Sequence, residues 1–213
     1  MQYIERSLIS EDWITILLLG CFVLLAFVSV FYKKKFEDFI KLPISNNYFI
    51  TKSKTRDINH PFNFVLFCIQ IISISLFIYL FFSEENKSDS GLFIQIITGV
   101  FVFLTIKFFS EKMIGTIFSI ENLINQYVYQ KLTYRNFLSL LIFAANLIFY
   151  FSFKPSLTTL LVFTSVLVLF NGLIIFYSIK SYRTLLFSNF FYFILYLCTL
   201  EISPYIILYK ALV

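Results

Sequence analysis

The sequence predicts an all-α, polytopic membrane protein with six transmembrane helices, one amphipathic cytoplasmic helix and both termini outside the cytoplasm. Composition, hydropathy pattern and the placement of positive charge lead to it. Hydrophobic residues fill 59% of 213 positions, charged residues 14%, and mean hydropathy is +0.84. A soluble domain cannot hide that much apolar surface, so lipid is the solvent for most of it. The apolar residues gather in six runs, each about the twenty residues that cross a core near 30 Å thick.

The first run, Trp13–Tyr32, contains "LLGC" at 18–21, which matches a lipoprotein cleavage box. Acidic Glu11 and Asp12 precede it where a signal peptide carries positive charge, and the run continues unbroken to Tyr32, so an uncleaved span is expected. Further runs follow at Phe62–Phe82, Leu92–Phe109, Tyr134–Phe153, Ser156–Ser178 and Leu186–Tyr209. The whole chain, 1–213, reads as one integral membrane domain.

Direction comes from the cations. The segments after the first, third and fifth runs, with the run ends that border them, hold Lys33, Lys34, Lys35, Lys41, Lys52, Lys54, Arg56, Lys107, Lys112, Lys131, Arg135, Lys180 and Arg183. That is 13 of the 17 basic residues, and an excess of Lys and Arg marks cytoplasmic loops. Acidic "SEENKSDSG" at 83–91 then lies outside. The net charge of +5 is explained by this topology, and Lys33, Lys34 and Lys35 suit anionic lipid headgroups better than nucleic acid.

The stretch 110–131 differs from the spans. Met113, Ile117, Ile120, Ile124, Tyr127 and Val128 share one helical face, while Glu111, Ser119, Asn122 and Gln126 gather opposite. It is expected either to lie on the cytoplasmic membrane surface, seated by Ile117, Ile120 and Ile124, or to prolong the third span and meet a partner's groove.

Catalytic chemistry has little to stand on. No GxxxxGK[ST] phosphate loop and no HExxH occur, and the single histidine, His60, precedes Pro61, where it suits capping. Cys21, Cys68 and Cys198 fall inside apolar runs without metal-ligand spacing. No cofactor, metal site or enzymatic activity is expected. The halves of the chain show no internal match of the kind inverted-repeat transporters carry.

One charge is misplaced for a span. Glu201 lies in the last run, three residues before Pro204. Pro204 lacks an N–H, so the Leu200 carbonyl loses its helical donor beside the carboxyl. Asn146, Thr98, Ser75 and Thr164 fall at a similar depth in their own runs, about two or three residues outward of the midpoint, and are expected to form a polar layer with Glu201 and Pro204. Gln70 and Asn171 match that depth less well. No cation lies there, so Glu201 is expected in its uncharged form. It then either locks helix packing through Asn146, carries a proton or substrate, or meets another subunit.

"YLCTLEISP" at 196–204, "DWIT" at 12–15 and "NNYF" at 46–49 resemble a multi-pass membrane family of Bacteroidota catalogued as domain of unknown function 4271. The resemblance runs nearly the whole chain. It implies an inner-membrane protein of a two-membraned bacterium, with both termini and the outer side of Glu201 facing the periplasm. No catalytic residues carry over. The expected role is a non-enzymatic accessory or scaffold subunit of a larger cell-envelope assembly, with a membrane-protein partner. A small proton-linked transporter or channel using Glu201 is the alternative.

Overall fold

The structure, a computed structural model, describes residues 12–40, 60–83, 90–117, 121–152 and 155–181. Among them every regular element is a helix: α1 (Asp12–Phe31), α2 (Lys33–Ile40), α3 (Pro61–Ser83), α4 (Ser90–Ile117), α5 (Glu121–Phe151) and α6 (Leu157–Ser181). The boundaries have local causes. His60 starts α3: its carbonyl accepts from Asn63 N–H at 2.9 Å and its Nδ1 from Phe62 N–H at 3.2 Å. Two of the helix's orphan donors are thereby satisfied, and Pro61, which has no N–H to satisfy, fits the first helical position. Ser156 does the same for α6, its carbonyl accepting from Leu160 N–H at 3.1 Å.

Four helices are long and apolar enough to cross a membrane, over Asp12–Phe31, Pro61–Phe82, Gly91–Met113 and Val128–Phe151. Helix α6 adds an apolar stretch, Leu157–Gly172. The expected run Leu186–Tyr209 lies outside the described residues.

Neighbours along the chain run antiparallel. Late α1 (Val28) and early α3 (Phe62, Leu66, Ile69) share one core cluster, whereas early α1 (Ile14, Leu18, Cys21) meets late α3 (Leu76, Tyr79) in another. Phe93 of early α4 joins that second cluster, and Leu160 of early α6 packs on Phe149 of late α5. The alternation gives the bundle two ends. One carries Trp13, whose ring stands 5.4 Å from Tyr79 and 4.8 Å from Phe93. The other carries α2 and, among the described residues, every placed lysine and arginine side chain.

Helices α3 and α5 are the centre. Their spans are 56% buried, against 22% for α1 and 17% for α4, so the flanking helices face outward over most of their surface. Amphipathic α2 closes the cationic end. Tyr32 N–H donates to the Val28 carbonyl at 3.0 Å and Phe36 N–H to the Tyr32 carbonyl at 2.9 Å, so helical bonding passes from α1 into α2. Phe39 turns inward, its ring 5.9 Å from Phe62 and 6.1 Å from Phe137, while Lys33, Lys34 and Glu37 stay exposed.

Of the two expectations for the stretch 110–131, the surface helix does not form, and prolongation of the third span holds as far as Ile117. The stretch is not one surface helix, because its first part ends α4 and its last part begins α5. Met113 is 63% exposed, as a lipid-facing side chain can be, whereas Glu111, expected on the polar face, is buried. An ion pair is the reason, since Lys131 Nζ of α5 reaches Glu111 Oε1 at 2.6 Å and turns the acid toward the neighbouring helix.

Phe39→Ala should lower the stability of the solubilised protein by about 3 kcal/mol, the usual cost of emptying a fully buried ring site. Ile40→Ala, on the exposed side of the same helix, should stay within about 0.5 kcal/mol. Thermal melting of both variants checks the docking of α2.

Candidate functional site

Polar residues recur along one face of α3, at Asn63, Gln70 and Ser73, and along one face of α5, at Asn136, Ser139 and Asn146. At 100° per residue each set falls within about a quarter turn. All six are buried. The faces meet. Asn146 Nδ2 donates to the Ser73 carbonyl at 2.8 Å, and Tyr150 Oη donates to the Leu76 carbonyl at 3.2 Å. Both pairs advance together along the chain, so α3 and α5 run parallel with a fixed register. A carbonyl has two lone pairs, so Ser73 can serve its own helix and Asn146 at once.

The seam also holds unmade bonds. Gln70 is 0% exposed, yet neither its Oε1 nor its Nε2 has a hydrogen-bond partner. Asn146 Oδ1, Asn136 Oδ1 and Ser73 Oγ are likewise buried without one. Gln70 stands about 14 Å along α3 from Pro61, near the middle of a 30 Å core. No solvent is available at that depth, and an unsatisfied polar group there costs several kcal/mol. Amide orientation does not resolve it, because both ends of Gln70 are unpaired. The seam thus offers two donors, the Gln70 amide and the Ser73 hydroxyl, and several neutral acceptors, a set suited to water or another small polar solute.

The expected polar layer assembles only in part. Asn146 bonds the Ser73 carbonyl across the α3–α5 seam. Ser75 is buried but donates to its own helix, at the Ile71 carbonyl, 2.7 Å away, and lies on another face of α3 from Ser73. Thr164 similarly bonds the Leu160 carbonyl at 2.7 Å from a half-buried position on α6. Thr98 bonds the Ile94 carbonyl at 2.7 Å and is exposed on the outside of the bundle, so the structure does not bring it to Asn146. Glu201 and Pro204 lie outside the described residues. So does Ile120, together with the side chains of Ile117 and Ile124. Lys33 and Lys34 are exposed on α2, and Lys35 is half-buried.

At the cationic end, α4 and α5 enclose a small pocket lined by Phe108, Glu111, Val128, Lys131, Leu132 and Arg135. Lys107, one turn before Glu111, is 7% exposed. No His, Cys, Asp and Glu gather in metal-holding threes among the described residues.

The sequence model of DUF4271, a domain of unknown function, matches residues 14–212. The chain belongs to the DUF4271 family. No curated protein and no solved structure matches it. In this DUF4271 chain, Gln70, Asn136 and the pocket charges Glu111, Lys131 and Arg135 were not among the residues expected to form a site. Asn136, Ser139 and Asn146 at i, i+3 and i+10 was the pattern that would have found the seam, because those spacings return to one helical face.

Gln70→Leu should raise the melting temperature, because it replaces an unpaired buried amide by a methyl-bearing side chain of similar size. Asn146→Leu should lower it, since the cross-helix bond is worth about 1 kcal/mol in a membrane protein. A destabilised Gln70→Leu would show that the amide is a structural bond-maker instead.

Proposed function

We propose that this protein is a non-enzymatic, multi-pass subunit of the bacterial inner membrane, an accessory or scaffold component of a larger cell-envelope assembly in a member of the Bacteroidota. The outward face of α4 carries this reading. Gly91, Gln95, Thr98, Gly99 and Val102 fall on one face of that helix, and Gly91, Gln95, Thr98, Gly99 and Val102 are all exposed. Exposed apolar surface is no argument for a partner in lipid, because acyl chains cover it without cost. Small residues mixed with an amide and a hydroxyl are different, since that composition is typical where a second helix approaches closely. A Cβ built on Gly99 would meet nothing within 4 Å, so the space beside it is open for a neighbour. The orientation in this reading, basic end in the cytoplasm and termini in the periplasm, is supported by the concentration of cations at one end of an alternating bundle.

The unpaired amides of the α3–α5 seam favour a second reading, a small proton-linked transporter or channel that uses Glu201. Polar groups left unsatisfied in a membrane interior mark pathways as well as packing.

Purification in mild detergent separates the two. A subunit should bring down a stoichiometric membrane partner, and Gln95→Leu with Gly99→Leu should lose it while the chain still inserts. Cross-linking from a cysteine at position 98 should then give a product of two different chains. A product of unchanged mass would place residues 186–209 of the same chain on that face. For the transporter, Glu201→Gln should abolish activity in a normally assembled protein, whereas a subunit should tolerate it.

A further inference from the structure

We propose that the α3–α5 seam binds water at the level of Gln70, Ser73 and Asn146, deep inside the membrane. The inference rests on the chain spanning a membrane and does not depend on whether it has a protein partner or moves a solute. Four polar atoms carry it. Gln70 Nε2 and Oε1, Ser73 Oγ and Asn146 Oδ1 are buried without a hydrogen-bond partner, and all three residues are 0% exposed. They belong to one stretch of the seam. Ser73 follows Gln70 by three residues on α3, a spacing that makes them neighbours on the helix surface. The bond from Asn146 Nδ2 to the Ser73 carbonyl at 2.8 Å brings Asn146 to the same level.

Chemistry and size select the ligand. The set mixes donors, the Gln70 amide and the Ser73 hydroxyl, with acceptors, the Gln70 and Asn146 side-chain oxygens. Water donates and accepts, so it can serve both kinds of group, and a buried water typically makes about three such bonds. An ion fits poorly. Helix α3 carries no charged side chain and α5 none after Arg135, so a charge at this depth would enter without compensation from either helix. Two helices held together by a direct bond admit only a small molecule beside it, and water occupies about 30 Å³. The same faces supply a path. Buried polar side chains continue from Gln70 toward the cationic end, at Asn63 on α3 and at Ser139 and Asn136 on α5. In the other direction the helices close on Phe77, Leu80 and Phe149, an apolar cluster sealed by Leu160 of α6. Water thus reaches Gln70 from the cationic side and goes no further.

Water-edited solid-state NMR of the isotope-labelled protein in lipid bilayers reads the site directly. Magnetisation from water should reach the Gln70 side-chain amide about as fast as that of Asn125, which is exposed. Within the same time it should not reach the backbone amide of Leu80, in the apolar cluster. On transfer to heavy water the Gln70 amide signal should exchange away while that of Leu80 persists. In Gln70→Leu the transfer from water to the Asn146 side-chain amide should be lost. That substitution removes the amide and releases its water together, so the higher melting temperature expected of it is unaffected. The wild-type measurement needs no variant: no transfer to the Gln70 amide would overturn the proposal even if Gln70→Leu failed to fold. Unchanged transfer to Asn146 in a folded Gln70→Leu would remove Gln70 from the site and overturn it as well. Contact of the wild-type Gln70 amide with a glutamate carboxyl carbon, without transfer from water, would give the site to Glu201 and contradict the assignment to water.

Discussion

Inside a bilayer a polar group has only the protein to bond with, and the contact between α3 and α5 is where this chain meets that constraint. Asn146 gives its amide hydrogen to the Ser73 carbonyl at 2.8 Å, and one turn on Tyr150 reaches the Leu76 carbonyl. Each bond is small in a membrane, near 1 kcal/mol. Their directional effect is larger than their energy. Lipid tails are as apolar as leucine, so hydrophobic contact alone would let two such helices rotate and slide. Two bonds at matched levels fix both rotation and register, and the flanking helices then pack on a defined pair.

The same constraint explains how the two ends of the bundle differ. Where Trp13 stands, aromatic rings from three helices meet at 4.8–6.0 Å, and an amphipathic indole suits a membrane boundary. At the other end charge does the joining, with Glu111 drawn between helices by Lys131 and the amphipathic α2 laid across by Phe39. Between these ends lie Gln70 and its unmet bonds, at the depth where they are costliest. A chain built only for packing would place leucine there. Gln70, with both ends of its amide buried and unpaired, is the group at that depth that packing alone does not account for.

Much of the fold was legible in the sequence, because twenty apolar residues in lipid have few options besides a helix. The first five runs coincide with α1, α3, α4, α5 and α6 to within a few residues at most ends. The third and fourth differ, since both helices continue past the expected boundaries at Phe109 and Tyr134 and carry their charges inside the bundle. Depth could be read from sequence, and it grouped Asn146 with Thr98, Ser75 and Thr164 while setting Gln70 aside. Rotation could not, so Thr98 was expected beside Asn146 when it faces outward, and Ser75 and Thr164 spend their hydroxyls on their own helices. Hydroxyls within reach of the carbonyl four residues back seldom need a neighbour. The helix α2 was missed because its length is short, although Phe36 and Phe39 among lysines already showed the pattern.

The register of α3 against α5 is the claim on which the rest depends, and disulfide trapping measures it directly. In a chain whose three native cysteines are replaced by serine, Leu66→Cys and Ser139→Cys stand at matched levels by the offset that joins Ser73 to Asn146. Leu132→Cys lies on the same face of α5 but about 10 Å away along its axis, beyond the roughly 7 Å that a disulfide spans between Cα atoms. The account predicts rapid cross-linking of 66 with 139 in native membranes and none of 66 with 132. Cross-linking of 66 with 132, or of neither pair, would contradict it.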